Sequence, residues 1–175
     1  CSSINGMIYM RGQARDYDQW AELTGDSEWS WAASLDDFKA HEDHYSLDDS
    51  ANSLDPKIQE RARLHGSGGE WRVEKQRLRW EILEAYAKAA IQTGIPATED
   101  FNGGDNSGAG YFDVNQRSGW RWNTSKAFLR PIKKRPNLEI WTHAQVTKLN
   151  LITEADEQKK CISVDVRSNG KDYTL

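Results

Sequence analysis

Two histidines three residues apart, in His41-Glu42-Asp43-His44, can share one face of a helix and hold a metal ion. A closed site needs three or four ligands, and no further ones stand at a recognisable spacing; Cys1 and Cys161 are both remote in sequence. The competing reading is a polar helix end, where the helix dipole favours histidine, so no metal is expected. Asp100-Phe101-Asn102-Gly103-Gly104-Asp105 opens like a calcium loop, but Gly104 takes the third liganding place and no Glu closes the pattern. Gly108-Ala109-Gly110 begins like a dinucleotide fingerprint, yet Asp113 stands where its last glycine belongs and the run precedes a strand. Neither a Gly-x-Ser-x-Gly elbow nor a P-loop occurs.

Cys1-Ser2-Ser3-Ile4-Asn5-Gly6-Met7-Ile8-Tyr9-Met10-Arg11-Gly12 is sharper. Small side chains let a backbone approach a ligand, and exposed N–H groups beside an Asn amide suit a phosphate- or flavin-bearing molecule; an ordinary turn has the same composition. The eight tryptophans also need a role. Either they wall a site for a sugar or a quaternary ammonium ion, or they fill a core otherwise poor in Leu, Ile and Val; burial is the expectation for most.

The elements that must position these residues follow from periodicity. Helices are predicted over 14–23, ended by Gly25, and over 31–41, capped by Ser30. Residues 42–53 read as an acidic surface loop, 66–69 as a turn and 70–74 as a half-buried strand. The strongest helix runs over 78–92, with Leu78, Ile82, Ala85, Tyr86 and Ala89 on one face and Gly94 closing it. A polar loop over 99–110, a strand over 111–115 and a short helix over 124–129, stopping before Pro131, come next. Strands over 138–142, 146–152, 161–167 and from 172, with turns at 154–157 and 168–170, predict an antiparallel meander. Helices followed by antiparallel strands make the fold class α+β.

Composition narrows the partners. The mean hydropathy of −0.84 leaves no stretch near the roughly 18 apolar residues of a membrane span. A pI near 5.6 lacks the basic excess of a phosphate-backbone binder, so no nucleic acid is expected. Two cysteines suit a reducing compartment, and a cytoplasmic location is expected. Cys1 in first place, with a last strand broken off at Leu175, predicts an internal piece of a longer protein.

Cys1 to Gly12, followed by Asp16-Tyr17-Asp18-Gln19-Trp20, resembles the flavin-contacting signature of the glucose-methanol-choline oxidoreductases. The resemblance continues through His65-Gly66-Ser67-Gly68-Gly69, Gly119 to Leu129, Arg135-Pro136-Asn137-Leu138-Glu139-Ile140 and Ala144-Gln145-Val146, and is nearest to the bacterial choline dehydrogenase branch. It implies an excised middle part of a two-domain enzyme that binds FAD and oxidises an alcohol, such as choline, by hydride transfer to the flavin. Residues 1–24 would be the flavin-covering loop and first helix, 25–136 a substrate-domain portion, and 137–175 strands of the FAD-binding domain. Cys1, Asn5, Gly6 and Ile8 match positions that touch FAD, and Val146 matches one whose backbone meets the adenine.

The resemblance supplies no catalytic residue here. The Gly-x-Gly-x-x-Gly phosphate cradle and the catalytic-histidine segment are not among these residues, and His41, His44, His65 and His143 do not match their context. The 175 residues alone are therefore expected to be inactive, to retain FAD poorly and to self-associate; peripheral membrane association of the longer protein is compatible with the family. The rival is a self-contained tryptophan-rich module for sugars or quaternary ammonium ligands. Some relatives bond FAD to a histidine immediately before the signature Asn; here that place is Ile4, which has no nucleophile. We expect all flavin to pass an ultrafilter after the intact protein is denatured, and a flavin-labelled peptide containing Ile4 or Cys1 would contradict this.

Overall fold

In the computed structural model, residues 2–47, 55–155 and 157–175 are described. The chain divides into two compact units, Cys1–Pro131 and Ile132–Leu175.

In the first unit, α1 (Ala14–Thr24) ends at Gly25, whose left-handed φ of 71° lets its N–H reach back to the Ala21 carbonyl. The Ser30 hydroxyl accepts the Ala33 N–H at 3.3 Å and so caps α2 (Trp31–His41). Strand β1 (Glu42–His44) follows without a break and pairs in parallel with β2 (Trp71–Lys75), which pairs antiparallel with β3 (Asp113–Val114). An isolated antiparallel bridge joins Ile8 to Val114, and this ties the N-terminal loop to the sheet. Helix α3 (Pro56–Leu64) leads into His65, and α4 (Glu81–Gln92) lies between β2 and β3 in sequence. A two-residue turn, Ser118 and Gly119 at φ 52° and 81°, joins β4 (Gln116–Arg117) to β5 (Trp120–Arg121). The buried apolar core of this unit comprises Tyr9, Leu47, Val73, Phe101, Val114 and Ala127.

The second unit is an antiparallel meander of three of the four expected strands, in the order β6 (Ala144–Thr153), β7 (Lys159–Ser168), β8 (Lys171–Thr174). Asn169 and Gly170, at φ 49° and 76°, form the tight turn between the last two strands. Within it, Trp141 packs edge-on against Tyr173 at 5.1 Å.

Several expectations change. Residues 42–44 are a strand rather than surface loop, with Glu42 fully buried and His44 at 2% exposure, because their charges find partners inside the protein. The rest of that predicted loop, from 48, lies outside the described residues. Helix α3 has no counterpart in the sequence reading. Helix α4 begins at Glu81, not Leu78, and its predicted apolar face is open: Ile82 and Tyr86 are 70% and 75% exposed. Residues 138–142 form no strand. The helix predicted to stop before Pro131 continues through Arg130–Ile132, because a π-helical turn over Ser125–Leu129, with the Arg130 N–H on the Ser125 carbonyl, widens the backbone ahead of the proline. None of the eight tryptophans is fully buried; Trp20, Trp29, Trp80, Trp120 and Trp141 are exposed, so smaller residues make the core.

One close approach sets the geometry of the first unit. A Cβ on Gly66 would collide with the Lys39 carbonyl at the end of α2, and one on Gly69 with the His41 carbonyl. Since backbone cannot retreat as a flexible side chain can, we expect Gly66→Ala to cost at least about 1–3 kcal/mol. Thermal denaturation should show this as a lower midpoint, by about 2–4 °C per kcal/mol.

Candidate functional site

Arg11 enters the protein directly after the N-terminal loop. Its Nη2 lies 2.7 Å from Glu42 Oε2, with both side chains fully buried, and its Nη1 donates to the Leu64 carbonyl at 2.6 Å. Glu42 also accepts the Gly66 N–H at 2.8 Å, and His65 lies with Nδ1 3.2 Å from Glu42 and Nε2 3.0 Å from Asp100. His44 stacks on His65 with ring centroids 3.8 Å apart and faces Asp113 at 3.3 Å and Ser46 at 2.7 Å. The Arg11 N–H donates to Asn102 Oδ1 at 2.9 Å, and the Asn102 amide donates to the Tyr9 carbonyl at 3.4 Å. Five segments of chain thus meet on one charged cluster.

Burial by itself would raise the Glu42 pKa; the His65 hydrogen bond and the Arg11 charge instead hold it at about 2. Asp100 is likewise penalised by burial but brought to about 2 by His65. Burial would push His65 down, yet its bonds to Asp100 and Glu42 carry it above the ordinary imidazole value. Glu42, His44 and His65 have the donor set of a metal site, their ligand atoms within 4.8 Å of one another. However, the Arg11 guanidinium already supplies the cation to Glu42, and each imidazole nitrogen already has a partner.

Above this cluster lies the N-terminal loop. Asn5 and Met7 adopt left-handed backbone, at φ 59° and 62°, a conformation Asn tolerates and Met rarely adopts. The Asn115 amide bonds the Met7 and Ile8 carbonyls at 3.0 and 3.1 Å, and the Tyr9 N–H donates to the Asp113 carbonyl at 2.8 Å. Arg121 reaches across from β5, with Nη1 3.2 Å from the Ser2 carbonyl and 3.3 Å from that of Ile4, and Nη2 3.0 Å from that of Asn5. Among the described residues, the N–H groups of Ser3, Ile4, Asn5 and Gly6 and the Asn5 side-chain amide make no hydrogen bond. Beside this loop is a cavity of about 550 Å³ lined by Gly6, Ile8, Tyr86, Phe101, Tyr111 and Phe112 among others, and the Tyr111 hydroxyl is buried without a partner among the described residues.

Of the positions singled out in the sequence, Gly6 and Ile8 line this cavity, and Asn5 is the residue next to Gly6 on the same loop. Cys1 lies outside the described residues. Val146 belongs to the second unit, on edge strand β6 beside an irregularity in its pairing with β7, and its carbonyl accepts the Gln145 side chain at 3.1 Å. The sequence reading weighs Asp100 only as the start of a calcium loop and gives Arg11, Glu42 and Arg121 no role of their own; a signal toward the cluster is the glycine run at 66–69, which marks the close approach beside Glu42.

The cluster fixes how stability responds to pH. The Glu42 and Asp100 contributions are present above the ordinary carboxylate range and lost as pH falls toward about 2; the His65 contribution is present below about 6.5 and lost as pH rises through its higher folded value. We expect the denaturant midpoint to be highest between about pH 4.5 and 6.5. His65→Gln should flatten the alkaline decline. Glu42→Gln, which leaves Arg11 buried without its counter-charge, should cost about 3–5 kcal/mol.

The GMC oxidoreductase family model matches residues 1–174. The oxygen-dependent choline dehydrogenase of Staphylococcus epidermidis is 35% identical over 174 residues, 99% of this chain and 28% of that protein. An alcohol dehydrogenase [acceptor] of Pseudomonas putida is 34% identical over 148 residues, 85% of this chain and 24% of that protein. The crystal structure of pyridoxine 4-oxidase from Mesorbium loti superposes with a TM-score of 0.79 at 27% identity, covering 99% of this chain and 31% of that one. The chain thus spans 24% to 31% of the length of these relatives. Its loop, glycine turn and late strands follow one another in the order that the sequence resemblance required, and the match runs almost from end to end: the chain belongs to the GMC oxidoreductases, a family of FAD-dependent enzymes.

Proposed function

We propose that this chain supplies the flavin-covering loop and part of the substrate pocket of an FAD-dependent enzyme that oxidises an alcohol, with choline as the favoured substrate class. The observation that carries this reading is the set of unbonded donors in Ser3 to Gly6 and the Asn5 amide, on the loop whose Gly6 and Ile8 line the cavity. These residues fit FAD on two counts. An acceptor-rich flavin edge would satisfy the donors, and a Cβ at Gly6 would meet only the Ile8 side chain, at 3.8 Å, so packing within the chain does not explain a bare backbone there.

FAD, when bound, supplies the hydride acceptor for the oxidation. Asn5 and Gly6 would hold the flavin by hydrogen bonds, and Ile8 would give it an apolar contact that excludes water. The family resemblance adds Cys1 to the positions that touch FAD and the Val146 backbone to those that meet its adenine. Tyr86, Phe101, Tyr111 and Phe112 give the cavity aromatic walls suited to a quaternary ammonium group, consistent with choline in the name of the Staphylococcus relative. The unpartnered Tyr111 hydroxyl offers a polar contact to a substrate hydroxyl. The apolar residues exposed on α4 support self-association of the isolated chain.

Replacing Asn5 by Gly keeps the left-handed backbone accessible and removes only the side-chain amide. In the intact protein we expect Asn5→Gly to weaken FAD binding up to about tenfold, the equivalent of one hydrogen bond, measured by quenching of flavin fluorescence. Unchanged affinity would remove Asn5 from the flavin site, and failure of the unaltered protein to bind FAD would overturn the whole reading.

A further inference from the structure

The carbonyl and N–H of one peptide unit point in opposite directions, because the unit is planar and trans. Arg121 turns the carbonyls of Ser2, Ile4 and Asn5 toward its guanidinium. Those three peptide units carry the N–H groups of Ser3, Asn5 and Gly6, which must therefore face away from Arg121. They are among the donors left without partners in the described chain. A single cation thus sets the direction of three amide donors.

Arg121 is itself held. It ends the β4–β5 hairpin, whose turn is pinned by the Ser118 N–H on Glu74 Oε1 at 2.8 Å. Its own carbonyl accepts Lys126 Nζ at 2.6 Å, and Lys126 sits on the π-helical turn, with its N–H on Asn123 Oδ1 at 3.0 Å. The hairpin and the widened helical turn therefore converge on the backbone of one residue while its side chain reaches the loop. A planar guanidinium spreads its donors over a fixed fork and so spans carbonyls of separated residues, whereas an ammonium directs its three donors from one compact point.

We propose that Arg121 is a positioning residue for the cofactor: by gathering the loop carbonyls, it aims the Ser3, Asn5 and Gly6 amides at the flavin. This rests on the reading that the loop meets FAD. The test uses the intact protein, with Arg121→Ala, Arg121→Lys and, as a control in the same hairpin, Arg117→Ala. Arg117 stacks over Trp122 at 5.1 Å, and among the described residues it makes no bond to the loop.

FAD affinity, the visible spectrum of the bound flavin and the thermal midpoint of the apoprotein are measured for each. Arg121→Ala should weaken FAD binding by about tenfold or more and shift the flavin spectrum, while the apoprotein midpoint stays close to that of the unaltered protein. Arg121→Lys should recover only part of the affinity, and added guanidinium should partly restore Arg121→Ala without improving the unaltered protein. An unchanged affinity and spectrum in Arg121→Ala would overturn the assignment, as would an equal loss in Arg117→Ala. If the unaltered protein binds no FAD, the flavin reading itself fails and the assignment falls with it.

Discussion

The first unit is organised around a buried ion pair between Arg11 and Glu42. An isolated buried charge is expensive, and a pair is tolerated only when every remaining donor and acceptor also finds a partner. That requirement brings in the Leu64 carbonyl, the Gly66 amide, His65 and, through it, Asp100. Arg11, Glu42, residues 64–66 and Asp100 come from four parts of the chain, so satisfying one charge specifies how the N-terminal segment, β1, the end of α3 and the loop before β3 assemble. The apolar core is small, and charge pairing carries much of the specification that hydrophobic packing supplies in other proteins.

The same pair connects to the N-terminal loop. Arg11 and Tyr9 are anchored below, Asn115 holds Met7 and Ile8 at the side, and Arg121 gathers the carbonyls of Ser2, Ile4 and Asn5 from the other end. Between these anchors the backbone passes through left-handed conformations at Asn5 and Met7. Unusual backbone of this kind persists when its surroundings over-determine it. The result is a loop whose hydrogen-bonding capacity is spent inward on its carbonyls and left outward on its amides.

How much of this was legible in the sequence depended on the kind of signal. The strand-like runs over 146–152, 161–167 and from 172, with turns at 154–157 and 168–170, were enough to read an antiparallel meander. Ser30 and Gly25 marked their helix ends by local chemistry alone. Strand β1 was unreadable because Glu-Asp-His has the composition of a surface loop, and only partners tens of residues away make it an interior strand. Helix α4 was correctly seen as amphipathic, but amphipathicity says nothing about what, if anything, covers the apolar face. Asn5, Gly6 and Ile8 were singled out through a motif. The residues that hold them were not, because Arg121 and Arg11 act through distances in space that no spacing in the sequence encodes.

Gly66 lies against the backbone of Lys39, not its side chain. Contact of this kind divides the burden of sequence change unevenly between the two partners. Almost any residue that keeps α2 helical can stand at 39, since its side chain takes no part in the approach. At 66 no side chain fits at all. Drift in this family can therefore recolour the outer surface of α2 freely while the crossing beneath it, and the charged cluster that the crossing encloses, stay fixed by a single missing carbon atom.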